Sequence, residues 1–154
     1  MTPVDRANDP QGGCGTVLRM SRPPIDLDDT DAVLTAIADI PPRVRPRCTD
    51  LMLLVAGADR RSDTLLLVDD IPDRLPQHQR VQALSRLFRQ LRSDLPGAEA
   101  TAVAVCRAGH PDPTGEDLAW HDAIRATASH AGITCLGVYL STDHGVVQVL
   151  PNAA

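Results

Sequence analysis

The sequence predicts an α/β fold: a single mixed-sheet sandwich with the element order α-β-β-α-β-α-β-β. Three observations predict it. Two apolar runs of strand length, residues 51–56 (LMLLVA) and 64–68 (TLLLV), are joined by the polar turn 57–63, which reads as an antiparallel hairpin. Residues 77–93 repeat Val81, Leu84, Leu87, Phe88 and Leu91 at helical spacing. Last, an apolar run at 101–106, a helical stretch at 114–131 and a second run at 133–140 follow one another. That is the pattern of a crossover between two parallel strands.

The remaining elements follow in chain order. Residues 1–27 scatter Pro3, Pro10, Gly12, Gly13, Gly15, Pro23 and Pro24 among polar residues. They are expected to form a disordered or loosely packed tail, with one short packed strand open to Val17, Leu18 and Met20. A single domain is expected over 28–150. Its first helix, over 28–40, can be capped by Asp29 or Thr30 and turns Val33, Leu34, Ile37 and Ile40 inward until Pro41 and Pro42 stop it. Residues 42–47 (PRVRPR) read as a Pro/Arg linker. Both hairpin strands are apolar at nearly every position, so both faces should be covered. The 77–93 helix sets Arg80, Arg86, Arg89 and Arg92 on its polar side. The 114–131 helix turns Trp120, Ala123, Ile124, Ala128 and Ala131 inward, with Thr127 at the edge of that stripe. Gly132 closes it, because a residue without Cβ takes the left-handed conformation at little cost. The turn 141–145 (STDHG) leads to a last strand over 146–150.

Composition narrows the function. The chain has 154 residues, 43% of them hydrophobic and 2% aromatic, and a net charge of −5. A core is affordable, built on aliphatic residues. Phe88, Trp120 and Tyr139 are the whole aromatic complement, too few for stacking single-stranded nucleic acid. The negative charge also disfavours nucleic acid and acidic membrane surfaces. Every basic side chain besides His is Arg, which excludes a Lys nucleophile, a Schiff base and a P-loop Lys. Cys14, Cys48, Cys106 and Cys135 form no C-x-x-C pair, and no secretory leader or bilayer-length apolar run is evident. A cytoplasmic, reduced protein is expected. The Ala, Arg, Asp and Pro bias resembles that of a GC-rich bacterial genome.

The chemistry concentrates in residues 106–121. Thr114 and Asp117 have capping-box spacing: Thr114 accepts from the third helical N–H, and Asp117 reaches back to the cap. Cys106, His110, Asp117 and His121 are all of metal-ligand type, and a catalytic zinc needs three such groups plus water. Cys106, His110 and Asp117 are the candidate metal set. The blander reading makes Cys106 strand core, His110 a loop residue and His121 solvated. A Cys106–His110 or Cys106–His121 nucleophile pair is a further alternative. No Gly-rich phosphate loop is present, so no cofactor is expected beyond zinc under the metal reading. The arginines of the 77–93 helix leave open an anion or nucleotide surface. Catalytic residues stay unknown at this level.

Residues 106–136 resemble the JAB/MPN domain of RadC-like proteins. There a strand ends in His-x-His-Pro, a Pro-Ser-x-x-Asp turn opens a helix, and Gly-Ile begins the next strand. Here Pro113-Thr114-Gly115-Glu116-Asp117 is similar to that turn, and Gly132-Ile133 follows at matching spacing. The order of the preceding hairpin and helix is similar too, so the resemblance spans about residues 50–149. In the family two His and the Asp hold zinc, and an upstream Glu acts on the bound water. Counting back from Asp117 puts Ala104 and Cys106 at the two His positions, and Asp50 is the nearest upstream acid. Thr114 and Asp117 alone carry over. The resemblance thus implies a JAB/MPN-like domain without an intact metal triad, acting in protein interaction or regulation. An unidentified protein partner is expected, with homo-oligomerisation one form of it. A divergent zinc-dependent hydrolase using Cys106, His110 and Asp117 is the alternative.

Overall fold

The computed structural model describes residues 3–8, 16–40, 48–72 and 74–150. Its elements in chain order are β1 (Pro3–Asn8), β2 (Thr16–Asp26), α1 (Thr30–Ala38), β3 (Cys48–Ala56), β4 (Arg61–Pro72), α2 (Gln77–Asp94), β5 (Ala100–Cys106), α3 (Gly115–His130), β6 (Thr134–Thr142) and β7 (Gly145–Gln148). The strands form one seven-stranded mixed sheet in the order β1-β2-β4-β3-β5-β6-β7. The predicted hairpin is antiparallel β3–β4. β5 and β6 are parallel, and α3 makes the crossover between them. β6 and β7 close the sheet as a second hairpin.

Side-chain alternation along the strands builds two cores. Leu51, Leu53, Val55, Val103 and Val105 face α2 and α3, where Leu84, Phe88, Leu91, Trp120, Ala123, Ile124 and Ala128 complete one cluster. Met52, Leu54, Ala102, Ala104, Cys106 and Tyr139 face the other way, under Val33, Ala36 and Ile37 of α1. The result is three layers, α/β/α. Burial on both faces explains why β3 and β5 read as unbroken apolar runs. Each large side chain buried this way contributes about 1.5–3 kcal/mol.

The helix ends follow from local chemistry. The Asp29 side chain accepts from Ala32 N at 3.2 Å and caps α1. Gly132 takes φ +79°. Its N–H bonds to Ser129 O (3.0 Å) and that of Ile133 to Ala128 O (2.9 Å), which satisfies the last carbonyls of α3.

Two expectations change. Residues 16–26 form an eleven-residue strand inside the sheet, longer than a packed segment within a loose tail. Met20 is buried and Leu18 packs against the α1-side core. Pro23 and Pro24 disguise this strand in the sequence. They fall in the register irregularity between Ser21 and Ile25, where the ladder with β4 is interrupted, so their missing N–H groups cost little. Arg80 is also not on the polar side of α2: it is 2% exposed. It lies four residues before Leu84 and so shares the apolar stripe. The Pro/Arg stretch 42–47 lies outside the described residues. Among the described residues, no helix is long and apolar enough to cross a membrane.

Candidate functional site

In α/β sheets, ligands are bound outside the carboxyl ends of parallel strands. Here that place is the rim formed by residues 107–114, the first turn of α3 and the β6–β7 turn at 143–144. It holds Arg107, His110, Asp112, Glu116, Asp117, Asp143 and His144.

The α3 N-terminus is a capping box, as its spacing predicts. Thr114 Oγ1 accepts from Asp117 N (3.3 Å), and Asp117 Oδ2 accepts from Thr114 N (2.8 Å) and Thr114 Oγ1 (3.1 Å). Arg107 completes the arrangement. Odd-numbered residues of β5 face α3, so the next one, Arg107, points the same way. Its Nε donates to Asp117 Oδ1 (2.9 Å) and its Nη2 to Asp117 Oδ2 (2.8 Å), a two-pronged ion pair. The same guanidinium donates to Ala108 O (2.8 Å) and Asp112 O (3.2 Å). One side chain thereby pins the loop to the helix.

Asp117 is 2% exposed. Burial alone would push its carboxyl up. The Arg107 and Thr114 hydrogen bonds and the Arg107 charge outweigh burial and hold it below the ordinary carboxylate range. The hydrogen bond to Asp117 raises the Arg107 guanidinium in turn. Asp117 is therefore ionised, with its oxygens occupied by donors. A metal ion would have to displace an arginine to reach it.

Cys106, His110 and Asp117 do not come together. Cys106 belongs to the α1-side core, whereas Asp117 heads a helix on the opposite face of the sheet. Burial pushes the Cys106 thiol up to about 12, and the Asp50 charge adds to this, with Ser141 pulling the other way. A thiol held there supplies no thiolate at neutral pH, so Cys106 is no nucleophile either. His121 is buried rather than solvated, with Nδ1 3.0 Å from Asp122 Oδ1. Among the described residues, no group of three or more His, Cys, Asp or Glu is placed to hold a metal ion.

His110 instead stacks on His144, with ring centroids 5.0 Å apart and planes at 21°. Beside it, Asp143 Oδ1 accepts from Gly109 N at 2.9 Å. That N–H holds the Asp143 carboxyl low, and the charges of His144 and His110 add to it. Gly109 needs its missing Cβ here, because its φ is +108°. These contacts tie the 107–114 loop to the β6–β7 turn.

Of the four arginines of α2, Arg86 and Arg89 are exposed, while Arg80 and Arg92 make contacts across to α3. Arg80 donates to Glu116 of α3 and to Leu75 O (3.2 Å), and lies 4.7 Å over the Trp120 ring. Arg92 Nη1 donates to Gly132 O at 3.3 Å. Both are committed to joining α2 to α3. A shallow open depression of about 240 Å³ lies at the other end of the sheet, among Gly57, Arg61, Asp63, Leu95 and Pro96. It includes none of the candidate residues.

Compared with protein-family models and with curated proteins, the chain matches none.

Sequence reading missed Arg107, Asp143 and the burial of Arg80. Strand parity was the available signal for Arg107. No local signal pairs His110 with His144, because 34 residues separate them and the parallel β5–β6 pairing brings them together.

Proposed function

We propose that this protein is a non-catalytic α/β domain, JAB/MPN-like at its β5–α3 junction, that acts in protein interaction or regulation in the cytoplasm. The observation that carries the reading is the occupancy of Asp117. The one acidic residue that matches a metal-ligand position of the family is closed off by Arg107 and Thr114. The positions that match the family's two His offer no help, since Ala104 has no ligand atom and both Ala104 and Cys106 face the other core.

Two features support the interaction half. β7 is an edge strand of four residues whose outer side meets no other strand among those described. Such an edge is a template for pairing with another chain. Next to it, Leu150 is 67% exposed, the one large hydrophobic residue exposed among those described.

The reading is tested by incubating the full chain, with and without zinc, with peptide and isopeptide substrates, alongside sedimentation over a range of concentrations. The expected results are no turnover above background and association into dimers or larger species. Zinc-dependent hydrolysis that disappears in Asp117→Asn would replace the reading with a zinc hydrolase.

A further inference from the structure

Charge is divided between the two sides of this sheet. The outermost line of α2 runs through Gln79, Gln82, Arg86, Arg89 and Ser93, spaced three or four residues apart and all exposed. It bears two cations and no acid. Asp94, the last residue of α2, is its one acid, and Gln90 Nε2 donates to it at 3.0 Å. Arg92 beside this line and Arg125 on the neighbouring α3 are exposed too. The acids of α3 are already matched: Glu116 by Arg80, Asp117 by Arg107 at 2.8 Å, and Asp122 by contact with His121 Nδ1 at 3.0 Å.

The α1 side has the opposite sign. Asp26, Asp28, Asp29 and Asp31 lead into α1, and Asp59 and Asp63 flank the start of β4. All are exposed, and Arg60 and Arg61 are the exposed cations among them. The two segments make one surface, because Leu27 N donates to Arg60 O (2.9 Å) and Arg60 Nη1 to Asp28 Oδ1 (3.0 Å).

We propose that the arginine face of α2 docks on the acidic α1 end of a second copy of this chain, head to tail. This rests on the interaction reading above and names its partner. Charge complementarity carries it. Two copies of net charge −5 repel one another in a random approach. The approach that sets Arg86 and Arg89 against Asp28 and Asp31 reverses that sign locally. The two surfaces differ and lie on opposite sides of the sheet. Each docked copy therefore keeps one surface of each kind free. Such a contact is not closed by two-fold symmetry and propagates beyond the dimer. It is separate from the β7 edge, whose pairing uses backbone groups and an apolar surface and so depends little on salt. Single exposed ion pairs contribute little. Several act together here, and the expected dissociation constant is on the order of 100 µM in dilute salt.

Sedimentation of the full chain at concentrations around that value, in about 20 mM and about 300 mM sodium chloride, tests this. The expected result is association beyond the dimer in dilute salt, weakened roughly tenfold or more at the higher salt. Arg86→Glu with Arg89→Glu makes both surfaces acidic, and Asp28→Arg with Asp31→Arg makes both basic. Each double variant should be monomeric in dilute salt, and an equimolar mixture of the two should associate again. All four positions are exposed, so an unchanged far-ultraviolet circular dichroism spectrum is expected of both variants, and the salt dependence of the unaltered chain is an independent check. A monomer in dilute salt overturns the proposal, as does a mixture that stays monomeric. Association that persists in both double variants and at both salt concentrations also overturns it. That last result leaves the proposed function standing, with the β7 edge as the contact.

Discussion

Replacing Arg107 by Ala strips a buried carboxylate of its counter-charge. Removing one partner of a buried pair costs about 3–5 kcal/mol. Here the Arg107 side chain is 21% exposed, and Asp117 keeps its bonds from Thr114 N and Oγ1. About half of that cost is expected, ~2 kcal/mol. At about 2–4 °C per kcal/mol for a chain of this size, the melting temperature should fall by ~4–8 °C. The pH dependence follows from the same pair. Folded Asp117 sits below its ordinary value. Its contribution is therefore complete above the unfolded carboxyl value of about 4 and is lost as pH falls toward the folded one. In the variant burial wins and that contribution is gone, so the gap between the two proteins should be widest near neutral pH and narrow in acid. Adding Asp117→Asn to Arg107→Ala should restore about 1 kcal/mol, because a neutral amide no longer needs the arginine. Urea unfolding at several pH values measures all of this. A gap below ~0.5 kcal/mol at neutral pH, or one that does not narrow in acid, would refute the reasoning.

Three further outcomes are expected. Thr114→Ala removes the cap of α3 and should cost about 1 kcal/mol in urea unfolding. Arg80→Ala should destabilise by roughly 2–4 kcal/mol through lost packing on Trp120, whereas Arg80→Met, which keeps the apolar stem, should recover at least half of this in thermal melts. Cys106, pushed up to about 12 by burial, should resist alkylation in the native protein near pH 8 and react once the chain is unfolded. Rapid native labelling of the Cys106 peptide, read by mass spectrometry, would contradict its placement under α1.

The parts of this fold legible in the sequence are those specified by neighbours in the chain. The β3–β4 hairpin, α2, and the β5–α3–β6 crossover each carry their own periodicity. The Thr114–Asp117 box and the Gly132 stop act within one helical turn, so spacing alone reveals them. β2 was obscured because Pro23 and Pro24 sit at a ladder irregularity that only the partner strand explains. Residue type alone sets Arg80 on the polar side of α2. Its phase along α2 placed it inward, and its ion partner, Glu116, lies on another helix. At the site, the metal set Cys106, His110 and Asp117 followed chain proximity. The sheet separates them, since consecutive β5 residues face opposite cores and the last of them, Cys106, faces away from α3. The contacts that do form, Arg107 with Asp117 and His110 with His144, arise from tertiary placement.

The most direct measurement is a zinc titration of the isotope-labelled full chain followed by nuclear magnetic resonance at the Asp117 carboxyl carbon. The signal of an ionised carboxylate paired with Arg107 should stay in place throughout the titration. A shift at Asp117 in step with Cys106 and His110 would contradict the central claim and show that these three residues converge on a metal after all.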